Sequence, residues 1–121
     1  MAVHAHPDDE VISTGGVLAR AVGQGIRTVL VTCTGGEQGD GPGGVKPGED
    51  GHDPDAVRAT RREELARSCA ILGIEHVELL GYRDSGMADW ESAKEPDAFG
   101  NVDLAEEIGR ASCRERVCQY V

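Results

Sequence analysis

The stretch Ile26-Arg27-Thr28-Val29-Leu30-Val31-Thr32 decides the fold. Past Arg27 it is β-branched and almost uniformly apolar, the composition of a strand covered on both faces, and this puts it at the centre of a parallel sheet. Upstream, residues 2–5 read as a short first strand. Residues 13–24 carry Val17, Leu18, Ala21 and Val22 at helical spacing, with Ser13 or Thr14 as N-cap and Gly25 just past the end. Downstream, Asp53 caps a helix that has Pro54 in its first position and runs to about Leu72, with Leu65, Cys69 and Leu72 on one face and Gly73 ending it. Residues 76–80 form a third strand. Strands alternating with helices at this spacing give right-handed βαβ units, so the expected fold is α/β, a Rossmann-like parallel sheet with flanking helices.

A chain of 121 residues, 39% of them hydrophobic, makes one domain with a core that needs no disulfide or metal staple. Its aromatic residues are Tyr82, Trp90, Phe99 and Tyr120, so that core is aliphatic. The 22 acidic side chains outnumber the 12 basic ones, for a net charge of −10. Such a surface repels phosphate backbones and anionic headgroups, which argues against nucleic-acid and membrane partners and leaves small molecules and metal ions. No apolar run approaches the roughly 20 residues that span a bilayer. The start, Met-Ala-Val-His, lacks the basic and long apolar regions of a secretory signal. Cys33, Cys69, Cys113 and Cys118 are too dispersed for a disulfide scaffold, and the last two lack the second ligand pair of a zinc site. A cytoplasmic, reducing location follows, with Cys33 and Cys69 as small buried apolar residues.

Both ends are unusual. The first strand starts at the initiator Met with almost no lead-in. Residues 102–108 begin a plausible helix, but residues 109–121 bring three arginines, two of the four cysteines and no apolar stripe. Residues 108–117 also resemble the translated sequencing-adapter peptide that contaminates some assembled genomes. The expectation is that residues 1–107 are the N-terminal part of a truncated domain and that residues 108–121 are a non-native tail.

The chemistry lies in His4-Ala5-His6-Pro7-Asp8-Asp9-Glu10, where the first strand ends. Ligand sites of open parallel sheets gather at this carboxyl edge. On an extended strand His4 and His6 share a face, and Pro7 keeps His6 out of the helical region. An imidazole beside carboxylates is ligand chemistry for Zn²⁺ or a similar ion, and of two adjacent acids one can ligate while the other handles the protons of water. That division points to hydrolysis. A plainer reading also fits: acids just ahead of a helix complement its dipole and cap its free N–H groups. Residue types alone leave both open. His4 reads as a hydrogen-bonded histidine beneath the site. Residues 35–51 hold too many glycines for one conformation and lack the marks of a P-loop, an EF-hand or a dinucleotide fingerprint, so they read as a mobile flap. Glu37, at the tip of the second strand, reads as a surface acid, with approach to the site as the alternative.

Four segments together carry a resemblance: His6-Pro7-Asp8-Asp9-Glu10, Ser13-Thr14-Gly15-Gly16, Val31-Thr32-Cys33-Thr34-Gly35-Gly36-Glu37 and Gly81-Tyr82-Arg83-Asp84-Ser85-Gly86-Met87. In this order they resemble the PIG-L (LmbE-like) zinc deacetylases over most of residues 2–105. The likeness is strongest to the actinobacterial members, which include the mycothiol-biosynthesis deacetylase and the mycothiol S-conjugate amidase. It implies a zinc-dependent hydrolase that cleaves the amide of an N-acylated glucosamine, a small-molecule substrate. It further implies that His6 and Asp9 bind zinc, that Asp8 is the general base, and that Arg61 and Asp84 contact sugar hydroxyls, while Glu10 is left without a direct role. The plain alternatives are a solvated helix-face charge for Arg61, with Arg62 beside it, and a turn cap for Asp84. The family's third zinc ligand and an oxyanion histidine lie in a later His-Pro-Asp-His segment that this chain lacks. His76 opens the third strand at the wrong edge, and His52 sits in a loop that does not preorganise it. The alternative to an enzyme is thus an inactive α/β fragment or a sugar-binding module with an incomplete metal site.

Overall fold

The computed structural model describes residues 1–103 and Ala105. The chain runs β1 (Ala2–His4), α1 (Asp9–Ile12), α2 (Gly15–Gly23), β2 (Val29–Thr34), α3 (Pro54–Leu72) and β3 (His76–Tyr82), with short 3-10 turns at Pro42–Gly44, Glu91–Lys94 and Phe99–Asn101. The three strands form one sheet in the order β1-β2-β3, and both pairings are parallel. The architecture is the expected α/β one.

β2 is central and buried at all six positions, and it begins at Val29 because that is where the unbroken apolar run begins. Ile26, expected inside the strand, is 56% exposed before it. Alternate strand residues face opposite sides. Leu30 packs with Leu18 of α2, Leu65 and Cys69 of α3, and Ile74, while Val29 and Val31 cluster with Leu80. Val17, expected on the buried stripe of α2, is 71% exposed; Leu18 alone of that stripe is fully buried. Cys33 and Cys69 are buried thiols outside any disulfide, as expected of small apolar residues.

α3 has the ends its sequence announces. Asp53 Oδ1 accepts from the N–H groups of Asp55 and Ala56 at 3.0 and 3.2 Å, Pro54 takes the first turn, and Gly73 closes the helix at φ 74°. The acidic run upstream does more than precede one helix. It forms a separate four-residue helix, α1, which has no side-chain cap; the Asp8 carbonyl accepts from Val11 and Ile12 instead. The helix expected from Val102 does not begin there, since Val102 is extended (φ −72°, ψ 141°). The expected boundary at residues 107/108, the tail and Cys113 and Cys118 lie outside the described residues.

Because the strands are parallel, their carboxyl ends share one edge. Ala5 O accepts both the N–H and the Oγ1–H of Thr34 at 2.9 Å, which ties the exit of β1 to the end of β2. Thr34 in turn pairs with Tyr82, so the segments after all three strands meet.

Candidate active site

At this edge His6, Asp8, Arg61 and Asp84 line one open cleft of about 250 Å³. Four of the five residues singled out by the sequence therefore come together, from the segments after β1 and β3 and from α3. Asp9, the fifth, stands behind His6. Its Oδ2 accepts from the His6 N–H at 3.1 Å and lies 3.8 Å from His6 Nδ1. The other ring nitrogen, Nε2, meets Asp84 Oδ1 at 3.2 Å. His6 is thus oriented by two carboxylates, one on each side of the ring. The bond to Asp84 raises its pKa above 6.5 against the lowering effect of burial, with the charges of Asp84, Asp9 and Asp8 adding to the rise.

A zinc ion binds N and O donors at roughly 2.0–2.2 Å, so two donors of one ion stand no more than about 4.2 Å apart. His6 Nδ1 and Asp9 Oδ2 meet that condition. Asp84 on the far nitrogen is the carboxylate that commonly orients a metal-binding histidine. Among the described residues, however, no group of three His, Cys, Asp or Glu side chains is placed to hold a metal. Two donors fit and the described residues add no third.

Asp8 has a strained backbone. It is the non-glycine residue with positive φ (113°, ψ −33°) among those described. A strut holds it there. The Asp8 N–H donates to Glu10 Oε2 at 2.9 Å, and Glu10 Oε1 is met at 2.5 Å by Ser68 Oγ of α3. Glu10 is 1% exposed. The acid left without a role in the sequence therefore fixes its neighbour. Burial raises the Asp8 carboxyl above its ordinary value, opposed by the Arg61 guanidinium, whose Nη2 stands 3.4 Å from Oδ2. A raised carboxyl is the better proton acceptor.

Arg61 reaches the cleft, with Nη1 donating to Pro7 O at 3.4 Å; Arg62 instead lines a separate hollow of about 520 Å³ with Leu79 and Arg83. A Cβ on Gly36 or Gly39 would fall 2.5 or 2.8 Å from Arg61 nitrogens, and one on Gly35 would fall 2.7 Å from Arg58 Cγ. Asp84 is 4% exposed and its carboxylate is occupied: besides His6, it accepts from the N–H groups of Gly86 (2.9 Å) and Gln38 (3.2 Å). It is a turn cap and a support for His6 together. Burial pushes its pKa up, and the His6 and backbone hydrogen bonds outweigh that and lower it.

Glu37 corrects its reading as a surface acid. At 2% exposure, its Oε1 accepts from Arg58 Nη2 at 2.8 Å and from the Asp84 N–H at 3.1 Å, so it fixes the turn that carries Asp84. Its place in Gly-Gly-Glu directly after the central strand, with Arg58 one helical turn from Arg61, was the available signal. His4 lies beneath the site with Nε2 on Thr14 Oγ1 at 2.9 Å. His52 is engaged with Gly39 O at 2.9 Å, across the glycine-rich segment, and does not line the cleft.

The family described as PIG-L: GlcNAc-PI de-N-acetylase matches residues 1–110. Similar proteins include a 1D-myo-inositol 2-acetamido-2-deoxy-alpha-D-glucopyranoside deacetylase from Thermobispora bispora, 43% identical over 112 residues that cover 86% of this chain and 36% of the relative. A protein of the same name from Acidothermus cellulolyticus is 44% identical over 110 residues, covering 86% and 37%. The fold is similar to that of an N,N'-diacetylchitobiose deacetylase from Pyrococcus horikoshii (TM-score 0.60, 28% identity, 69% of this chain and 29% of that one). It is also similar to a conserved protein from Thermus thermophilus (TM-score 0.53, 32% identity, 91% and 41%). The chain thus spans little more than a third of the length of these curated relatives.

Proposed function

The chain belongs to the PIG-L family, and from that premise we propose that it is part of a zinc-dependent hydrolase that cleaves the amide of an N-acylated glucosamine. The observation that carries this reading is the convergence of His6, Asp8 and Arg61 on one cleft, with Asp9 within reach of His6. His6 and Asp9 would hold the ion. When bound, zinc is a Lewis acid that polarises an acyl oxygen and makes water more acidic. Asp8, with its raised pKa, takes a proton from the attacking water. The water oxygen adds to the acyl carbon, the C–N bond breaks, and the proton that Asp8 took passes to the nitrogen, so that the sugar amine leaves neutral. Arg61, beside Asp8, offers its guanidinium to sugar hydroxyls. Asp84 acts on His6, and its turn forms the cleft wall. Among the described residues no helix is long and apolar enough to cross a membrane; the dispersed cysteines support a reducing, cytoplasmic location.

A sugar-binding module without turnover is the second reading, favoured by the lack of a third donor among the described residues. Zinc titration calorimetry combined with an acetate-release assay on an N-acetylglucosaminide separates the two. The hydrolase reading expects weak zinc binding by this chain that disappears in His6→Ala, and, in a complete homologue, turnover that disappears in Asp8→Ala while zinc binding persists. Turnover retained in Asp8→Ala removes Asp8 from the base role. Sugar binding with no zinc heat selects the module.

A further inference from the structure

Trp90 is the single tryptophan of the chain, and the chemistry above does not use it. It follows the turn that carries Asp84. Its backbone N–H donates to Met87 O at 2.9 Å, and its six-membered ring lies so close over Gly86 that a Cβ there would fall 2.5 Å from Cε3. Gly86 has φ 63°, and its N–H is held by Asp84 Oδ1. One turn therefore sets both the carboxylate that orients His6 and the indole.

The indole is a wall of the same 250 Å³ cleft, and Met87, 61% exposed, extends that wall. The cleft is thus divided, with His6, Asp8, Gln38, Arg61 and Asp84 as its polar groups and Met87 and Trp90 as its apolar ones. Trp90 also borders a second cleft of about 570 Å³, lined by His52 and Pro47 among others, so there is room beyond it. An indole presents an apolar face and one N–H donor, and a pyranose ring presents an apolar C–H face and a rim of hydroxyls. We propose that Trp90 is the stacking wall for the glucosamine ring: the indole takes the C–H face of the sugar and turns its acylamino group toward Asp8. This rests on the amino-sugar reading above.

The single indole makes the test direct. Methyl N-acetyl-β-D-glucosaminide is titrated into the full chain, with and without zinc chloride, while heat and tryptophan emission are followed together. Emission is expected to shift and saturate along the calorimetric isotherm. Trp90→Leu is expected to weaken binding roughly five- to tenfold, Trp90→Phe to recover most of it, and Gly86→Ala, which displaces the ring, to weaken it with the indole still present. Heat of binding with unmoved emission and unchanged affinity in Trp90→Leu overturns the stacking role and leaves the amino-sugar reading standing. No heat from the unaltered chain overturns both. If Trp90→Leu fails to fold, the emission of the unaltered chain still decides.

Discussion

Asp8 is held at φ 113° by a relay of two groups, the Glu10 carboxylate two residues on and, behind it, Ser68 on α3. Only glycine adopts such a backbone without steric cost; for other residues the strain is on the order of 1–3 kcal/mol. Asp8→Ala and Asp8→Gly both delete the carboxylate, but only the alanine keeps the strained Cβ. The glycine variant is therefore expected to be more stable than the alanine variant by about 1 kcal/mol, a thermal midpoint roughly 3–6 °C higher for a domain of this size. Parallel circular-dichroism melts check this, and equal midpoints would show that the backbone at residue 8 relaxes. The sequence made Asp8 visible as an acid in a motif. Its strain was invisible, because the strut depends on Ser68, whose place beside Glu10 is set by the packing of α3 on the sheet.

The secondary elements differ in how far local chemistry fixes them. α3 was legible at both ends because Asp53, Pro54 and Gly73 each act through their own backbone neighbourhood. Asp53→Ala removes an acceptor shared by two N–H groups and is expected to cost about 1 kcal/mol in urea unfolding, whereas Asp53→Asn costs only a few tenths. A loss equal in both variants would assign the effect to charge near the helix end. β2 was legible as a central strand, yet displaced by two residues at its end, because the pairing of Thr34 with Tyr82 and its bonds to Ala5 extend it past the apolar run. α1 was not legible, since four residues are too few to show a periodicity. The position of Glu37 after the central strand was legible but its burial was not: its partner Arg58 lies 21 positions away, across the glycine-rich segment.

Taken whole, the molecule is a sheet whose carboxyl edge is clamped by ion pairs and hydrogen bonds to α3, and this gives its stability a pH dependence of definite sign. Burial pushes the Glu37 carboxyl up, but the bonds from Arg58 and the Asp84 N–H outweigh it and hold its pKa below 4.5. A depressed folded-state value means the unfolded chain binds the proton more readily, so the contribution is complete above the ordinary value and is lost as pH falls through the lower one. Urea midpoints measured from about pH 7 to about pH 3 are expected to fall steeply at the acid end, and to fall less steeply in Glu37→Gln. Identical slopes would remove Glu37 from the acid response. The glycines beside this clamp carry a last consequence. Gly35, Gly36 and Gly39 belong to a segment whose composition suggests slack, yet each leaves the room that an arginine of α3 occupies. The segment is a mould cast around the neighbouring helix, and a methyl group grown at any of the three would force an arginine side chain to shift from its place. What reads as looseness in the chain is, at these positions, a close tolerance.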